Sequence, residues 1–261
     1  MPVHDGPWPE GTPCWVDVSV SDIGAARLFY EGLFGWSMLD GPPESGGYLN
    51  CAKNGRLAAG ISPKMTPDAP SAWTVHFSTA DLDARLARVT GNGGQLLAGP
   101  MDVLDLGGLA LCADPAGAGF GLWRPGRHTG LGVVNEPASL IWTEQLSHAP
   151  EASIAFYRAV FEWEMHDWTT AGGPPYSSFV SQGRDIGGVG GYAEGDLELP
   201  DQWWVSLAVD DTDRAVDEVV KLGGSVLRPP ADSPYGRRAT VADVEGAPFN
   251  LLAAPPEGYG D

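Results

Sequence analysis

WVDVSVSDIGAARLFYEGLFGWSM, Trp15 to Met38, decides the fold, because the chain writes it again as WTEQLSHAPEASIAFYRAVFEWEM from Trp142 to Met165. At a constant offset of 127 residues Trp15 meets Trp142, Asp17 meets Glu144, and Phe29-Tyr30 meets Phe156-Tyr157. Phe34, Trp36 and Met38 meet Phe161, Trp163 and Met165 at the same spacing. Self-similarity at a fixed period marks an internal repeat of one supersecondary unit.

Working outward, CWVDVSV (Cys14 to Val20) alternates and reads as a strand with Trp15, Asp17 and Ser19 on one face. Asp22 is placed to cap a helix whose apolar stripe runs through Ala25, Ala26, Phe29 and Leu33, and Gly35 stops it. WSMLD, YLNCAK and RLAAGIS follow as strands, the last two joined at Asn54-Gly55, a hairpin signal. The pattern restarts at Trp73 to Thr79, with a helix opening at Asp81 and three more strands, QLLAG, LALCA and FGLW, around the Asp114-Pro115-Ala116-Gly117 turn. The second half repeats all of this, with Asp243-Val-Glu-Gly246 answering that turn. The reading is an α+β fold of four βαβββ modules in two tandem domains. Residues 1–11 form a lead-in, 12–124 the first domain, 125–138 a linker, 139–254 the second domain and 255–261 a tail. Periodicity leaves open whether module one pairs with two, or with four.

At 261 residues, 43% apolar and 19% charged, the chain has the makings of a packed core. A formal charge of −19 argues against nucleic acid and anionic membrane surfaces as partners. Cys14, Cys51 and Cys112 each stand alone in apolar runs, so free buried thiols in a reducing cytoplasm are expected. The N-terminus has neither the basic flank nor the apolar run of a signal peptide, and no apolar stretch has the length of a membrane span. His4, His128 and His148, in lead-in, linker and turn, receive no role, and His166 and Asp167 read as surface groups.

The strand, the D-x-x-x-A-x-x-FY-x-x-x-F-G-W helix and the later D-P-x-G turn together resemble the vicinal oxygen chelate superfamily. That group includes glyoxalase I, bleomycin-resistance proteins and extradiol dioxygenases. The linker, with Arg127, His128, Gly130, Val134-Asn135-Glu136 and Leu140-Ile141-Trp142, is similar to that of tandem glyoxalase-like proteins of actinobacteria, some named hydroxylases beside antibiotic pathways. The resemblance implies the fold, whereas one fold hosts many chemistries.

It also implies a metal site, with a His or Gln on a module's first strand and a Glu on its last. Counting from the motifs puts the first-strand position at Trp15, Thr74, Trp142 and Trp204. The last-strand position falls at Gly121 and Asn250, and in the remaining modules within LAAGI and DIGGV, where Asp185 is the only acid. Indole and glycine offer no ligand, so neither metal nor cofactor is expected. Strand alternation puts Asp17 on the face of Trp15, Glu144 on that of Trp142 and His76 on that of Thr74. These three are the candidate acid–base residues, against the alternative of carboxylates and an imidazole hydrogen-bonded in the wall.

The 10 tryptophans concentrate on first strands (Trp15, Trp73, Trp142, Trp203, Trp204) and beside second strands, where Trp36 and Trp163 read as core. Trp15, Thr74, Trp142, Trp204 and Asn250 are the candidate ligand-binding residues, and the rings either line a cavity or fill it. The function expected is metal-free handling of a small aromatic or polyketide-like molecule, with acid–base catalysis or assistance to hydroxylation in antibiotic biosynthesis. A non-catalytic drug-binding protein and a metal-dependent glyoxalase-type lyase are the alternatives. Tandem duplication suits a monomer as well as a homodimer.

Overall fold

A computed structural model describes residues 3–193 and 199–254; the tail expected at 255–261 lies outside the described residues. In the first half the elements are β1 (Pro13–Val20), α1 (Ile23–Phe34), β2 (Ser37–Asp40), β3 (Leu49–Lys53), β4 (Arg56–Pro63), β5 (Ala72–Ser78), α2 (Leu82–Gly91), β6 (Gln95–Val103), β7 (Gly107–Ala113) and β8 (Gly119–Pro125). The second half gives β9 (Leu140–Ser147), α3 (Pro150–Phe161), β10 (Glu164–Asp167), β11 (Tyr176–Ser181), β12 (Arg184–Gly191), β13 (Gln202–Ala208), α4 (Thr212–Lys221), β14 (Ser225–Ser233), β15 (Gly236–Ala242) and β16 (Pro248–Ala253).

Local chemistry sets these bounds. Asp22 accepts the Ala25 N–H and starts α1, and Gly35 at φ 65° ends it in the left-handed conformation open to glycine. Asn54 and Gly55, both at positive φ, close the β3–β4 hairpin. The third helix departs from its twin, opening on Pro150 instead of an acidic cap and ending on Glu162 in the left-handed region.

Each half forms one eight-stranded sheet, ordered β2-β3-β4-β1-β5-β8-β7-β6 and β10-β11-β12-β9-β13-β16-β15-β14. First strands meet antiparallel at the centre, β1 on β5 and β9 on β13, each flanked by the parallel last strand of its own module. Modules one and two therefore share a sheet, as do three and four. The helix layer pairs them the other way: α1 packs on α4, and α2 on α3.

Alternation sorts side chains to two faces. Val16, Val18, Val75 and Phe77 are buried on the face turned to the other domain, while Trp15, Asp17, Thr74 and His76 share the opposite face. The inner faces form one core: the Phe77 ring lies 4.8 to 5.6 Å from Phe161, Trp163 and Trp203 of the second domain. Polar ties cross the same boundary in matched pairs. Tyr30 donates to Asp243 (2.9 Å) and Tyr157 to Asp114 (3.0 Å). Trp36 donates to the carbonyl of Ala138, and Trp163 to that of Gly11, positions again 127 apart. Trp36 and Trp163 thus fill core as expected and also hydrogen-bond the leader segment of the opposite domain.

Burial, ahead of the hydrogen bonds that oppose it, raises the pKa of Asp243 and of Asp114. With a raised folded-state pKa, the stability such a carboxyl contributes is present at acid pH and lost as pH rises through that value. The Tyr30 hydroxyl steadies the ionised form. Tyr30→Phe should therefore cost about 1–3 kcal/mol at neutral pH, and less below the titration of Asp243, read by urea unfolding at both pH values. Thr143 is buried with its hydroxyl unpartnered, where the repeat places Val16 in the first half. Thr143→Val should raise stability by about 1 kcal/mol, seen as a higher denaturant midpoint at unchanged slope.

Candidate functional site

On the outer face of the first sheet, register sets Trp15 opposite His76 and Asp17 opposite Thr74, with Asp17 level with Gly60 and His76 level with Gly121. Asp17 lies 3.1 Å from His76 Nε2 through Oδ1, and its Oδ2 accepts the Tyr48 hydroxyl at 3.0 Å. The Trp15 indole donates to that hydroxyl at 2.7 Å. The two glycines are needed for space. A Cβ on Gly60 would overlap the Tyr48 hydroxyl, and one on Gly121 would overlap His76 Nδ1. His76 is 5% exposed and its Nδ1 is buried without a partner.

The tautomer follows from these contacts. A carboxylate only accepts, so His76 Nε2 carries the proton toward Asp17 and Nδ1 presents a lone pair. Burial, then the Asp17 charge, raises the Tyr48 pKa well above the ordinary phenol value, so Tyr48 remains a donor. His128, brought over from the linker, sets its ring edge-on to Trp15 at 4.5 Å. Desolvation depresses its pKa to about 4, so it is neutral at physiological pH.

The second sheet repeats half of this. Glu144 is level with Gly188 and accepts the Tyr176 hydroxyl at 3.1 Å, which in turn accepts the Trp142 indole N–H at 3.2 Å. A Cβ on Gly188 would overlap the Tyr176 hydroxyl. Where the first sheet has His76 level with Gly121, the second has Ser206 level with Asn250. Asn250 is buried and engaged by Thr240 (2.8 Å) and Ser206 (3.4 Å). Trp204 is buried and donates to Tyr192 at 3.2 Å.

Of the residues singled out in the sequence, Asp17, His76 and Trp15 come together with Thr74 on one face. Glu144, Trp142, Trp204 and Asn250 lie on the other sheet. Gly121 is level with His76, so the position counted as Thr74 sits one pleat away on the same face. Sequence reading missed Tyr48, just before β3, and Tyr176, which opens β11; they stand 128 residues apart, one more than the offset of the opening stretch. It also missed His128, which no repeat flags.

The divalent metal that the resemblance implies needs a converging set of ligands on these faces. Among the described residues no three His, Cys, Asp or Glu converge as a metal-binding group. His76 turns its protonated nitrogen to Asp17, Gly121 has no side chain where the resemblance implies a Glu, and the second sheet offers an amide and a hydroxyl already bonded to each other. The residues present do not fit that metal. Among the described residues, too, no helix is long and apolar enough to cross a membrane.

Comparison with known proteins agrees with the architecture. Residues 14–122 match the family model of the glyoxalase/bleomycin resistance protein/dioxygenase superfamily, and residues 145–252 that of a glyoxalase-like domain. "Putative glyoxylase CFP32" of Mycobacterium tuberculosis (strain CDC 1551 / Oshkosh) is 37% identical, covering 95% of this chain and 97% of its own. Anthracycline biosynthesis protein DnrV of Streptomyces peucetius is 36% identical, over 95% of each. The crystal structure of the Mn(II)-bound glyoxalase from Novosphingobium aromaticivorans superposes with a TM-score of 0.64 at 14% identity, covering 94% of this chain and 83% of that one. At that identity the likeness shows the fold alone.

Gly121→Ala should push the His76 imidazole off Asp17. Histidine NMR is then expected to show moved His76 ring resonances, with Gly188→Ala, which disturbs Tyr176 instead, leaving them in place. An unmoved His76 in Gly121→Ala would refute the packing described.

Proposed function

Since the chain belongs to the glyoxalase/bleomycin resistance protein/dioxygenase superfamily, we propose that it handles a small aromatic or polyketide-like molecule on the outer sheet faces without a divalent metal. The first domain supplies acid–base chemistry through Asp17 and His76. The observation that carries this is the Asp17–His76 contact, a carboxylate set on an imidazole on the face of the sheet turned away from the core. A carboxylate that orients an imidazole and stabilises its protonated form is the ordinary means of making histidine a base near neutral pH. Tyr48 fixes the second oxygen of Asp17, and Trp15 fixes Tyr48, so the dyad is held from both sides. Thr74, Trp15 and the second domain's Trp142, Trp204 and Asn250 are assigned to ligand contact, and Glu144 to a carboxylate partner without a base beside it. Relatives named for anthracycline biosynthesis support an aromatic polyketide as the class of molecule.

A second reading, binding without turnover, is favoured at the second sheet by Ser206 and Asn250, which replace the imidazole with groups that do not titrate.

A hydroxyanthraquinone dye whose phenol changes colour on ionisation tests the reading. In chelator-treated protein, at a pH below the dye's own titration, tryptophan fluorescence should be quenched and the bound dye should show phenolate absorption. Asp17→Asn and His76→Gln should keep the quenching and lose the colour change. Binding that appears only after a divalent metal is added, or a stoichiometric metal retained through dialysis, would contradict the proposal.

A further inference from the structure

The row of side chains that carries Asp17 and Glu144 differs at its outer end between the two sheets. Strand pairing sets Leu39, Asn50, Gly60 and Asp17 side by side across the first sheet. Across the second it sets His166, Ser178, Gly188 and Glu144. Beyond a bulge common to both, Ala52 pairs with Leu57 in one and Val180 with Asp185 in the other. Two residues after Leu39 stands Gly41, and two after His166 stands Trp168. The second copy thus has His166 for Leu39, Trp168 for Gly41, Ser178 for Asn50 and Asp185 for Leu57, all at one end of one row.

These four groups are bonded to one another. Ser178, buried in β11, donates its hydroxyl to Asp185 Oδ1 and accepts the Trp168 indole N–H at 2.8 Å. His166 Nδ1 lies 3.1 Å from the same Asp185 oxygen. A carboxylate only accepts, so Nδ1 carries the proton, and in the neutral ring Nε2 is left as an acceptor. His76 has the reverse arrangement, with Nε2 on its acid and the side chain buried. The His166 side chain is 48% exposed and Trp168 is 54% exposed, so both open to solvent. The only donor of the indole is already tied down by Ser178, which leaves a half-exposed, oriented aromatic surface beside an oriented acceptor.

We propose that His166 and Trp168 form a phenol-binding site on the outer face of the second sheet, separate from the Asp17–His76 pair. An aromatic ring lies on the Trp168 indole, and its hydroxyl donates to His166 Nε2. Asp185 is a positioning residue: it selects the imidazole tautomer that leaves Nε2 free to accept, and Ser178 ties that acid to the indole. The site rests on the ligand-handling reading above for the class of molecule, and adds where the second domain holds it and which group of it is read. Because the site is open to solvent, the hydroxyl is read by one ordinary hydrogen bond, and its loss costs a modest factor.

The test titrates 2-naphthol and 2-methoxynaphthalene, which lacks the hydroxyl proton, into the full chain and follows nitrogen-15 NMR of the histidine rings and indoles. Without ligand, the neutral His166 ring should be protonated at Nδ1 and His76 at Nε2. Asp185→Leu, which installs the residue of the first sheet, should free His166 to exchange between tautomers. 2-Naphthol should move the His166 Nε2 and Trp168 indole resonances and bind about 5-fold tighter than the methyl ether. His166→Leu should bring 2-naphthol down to the level of the ether, and Trp168→Gly should weaken both. Equal binding of the two compounds by wild type, a His166 proton on Nε2, or 2-naphthol moving His76 while leaving His166 still would overturn the site and leave the first-sheet reading intact. No response to either compound would also overturn it, and with no quenching by the hydroxyanthraquinone would remove the ligand-handling reading as well.

Discussion

The reciprocal tyrosine–aspartate exchange sets the plan of the molecule. Tyr30 on α1 reaches Asp243 in the last turn of the second domain, and Tyr157 on α3 reaches Asp114 in the first. Each aspartate also accepts two backbone N–H groups of its own turn, Ala116 and Ala118 in one case, Glu245 and Ala247 in the other. A buried carboxylate survives only if hydrogen-bonded, and here part of that satisfaction comes from the opposite domain. Neither turn is fully satisfied alone, which binds the two sheets back to back through their helical faces. Both outer faces are thereby turned away from the shared aromatic core.

Within that symmetric frame the two outer faces have diverged. Each keeps an indole, a tyrosine and a carboxylate in one chain of hydrogen bonds over a bare glycine. The divergence lies one strand over, where His76 over Gly121 faces Ser206 beside Asn250 in the twin. The first pair leaves an acceptor without a partner and the second closes upon itself. An imidazole with an orienting acid can move a proton, whereas an amide bonded to a hydroxyl only shapes a surface. Duplication supplied two copies of the scaffold, and only the first sets an imidazole beside a carboxylate on its two central strands.

Much of the fold was legible because its signals are local and repeated. Asp22, Gly35 and Asn54-Gly55 act within a few residues, and the repeat gives each element a twin in the second half. The faces of Asp17, Glu144 and His76 were equally legible, since alternation within one strand fixes them. Their meeting was not, because the Asp17–His76 contact depends on how β1 and β5 register, and a one-residue slip would send either side chain to the other face. Tyr48 was overlooked because its spacing to Tyr176 is 128, one residue off the period of the opening stretch. His128 carried none: its position comes from the linker folding back over β1, held by Gly130 and Leu131 against Cys14. The helix carrying the Phe-Tyr pair, which as sequence served only to identify the fold, became the tie between domains.

The claim on which the rest turns is that a ligand meets protein nitrogen, not a metal, at the outer face of the first sheet. A crystal structure with a hydroxyanthraquinone bound, collected with anomalous scattering data, tests it directly. The account predicts the ligand against the Trp15, Asp17 and His76 face, with Asp17 still on His76 Nε2 and no anomalous peak there. An anomalous peak bridging the ligand oxygens to His76 or Asp17 would contradict it.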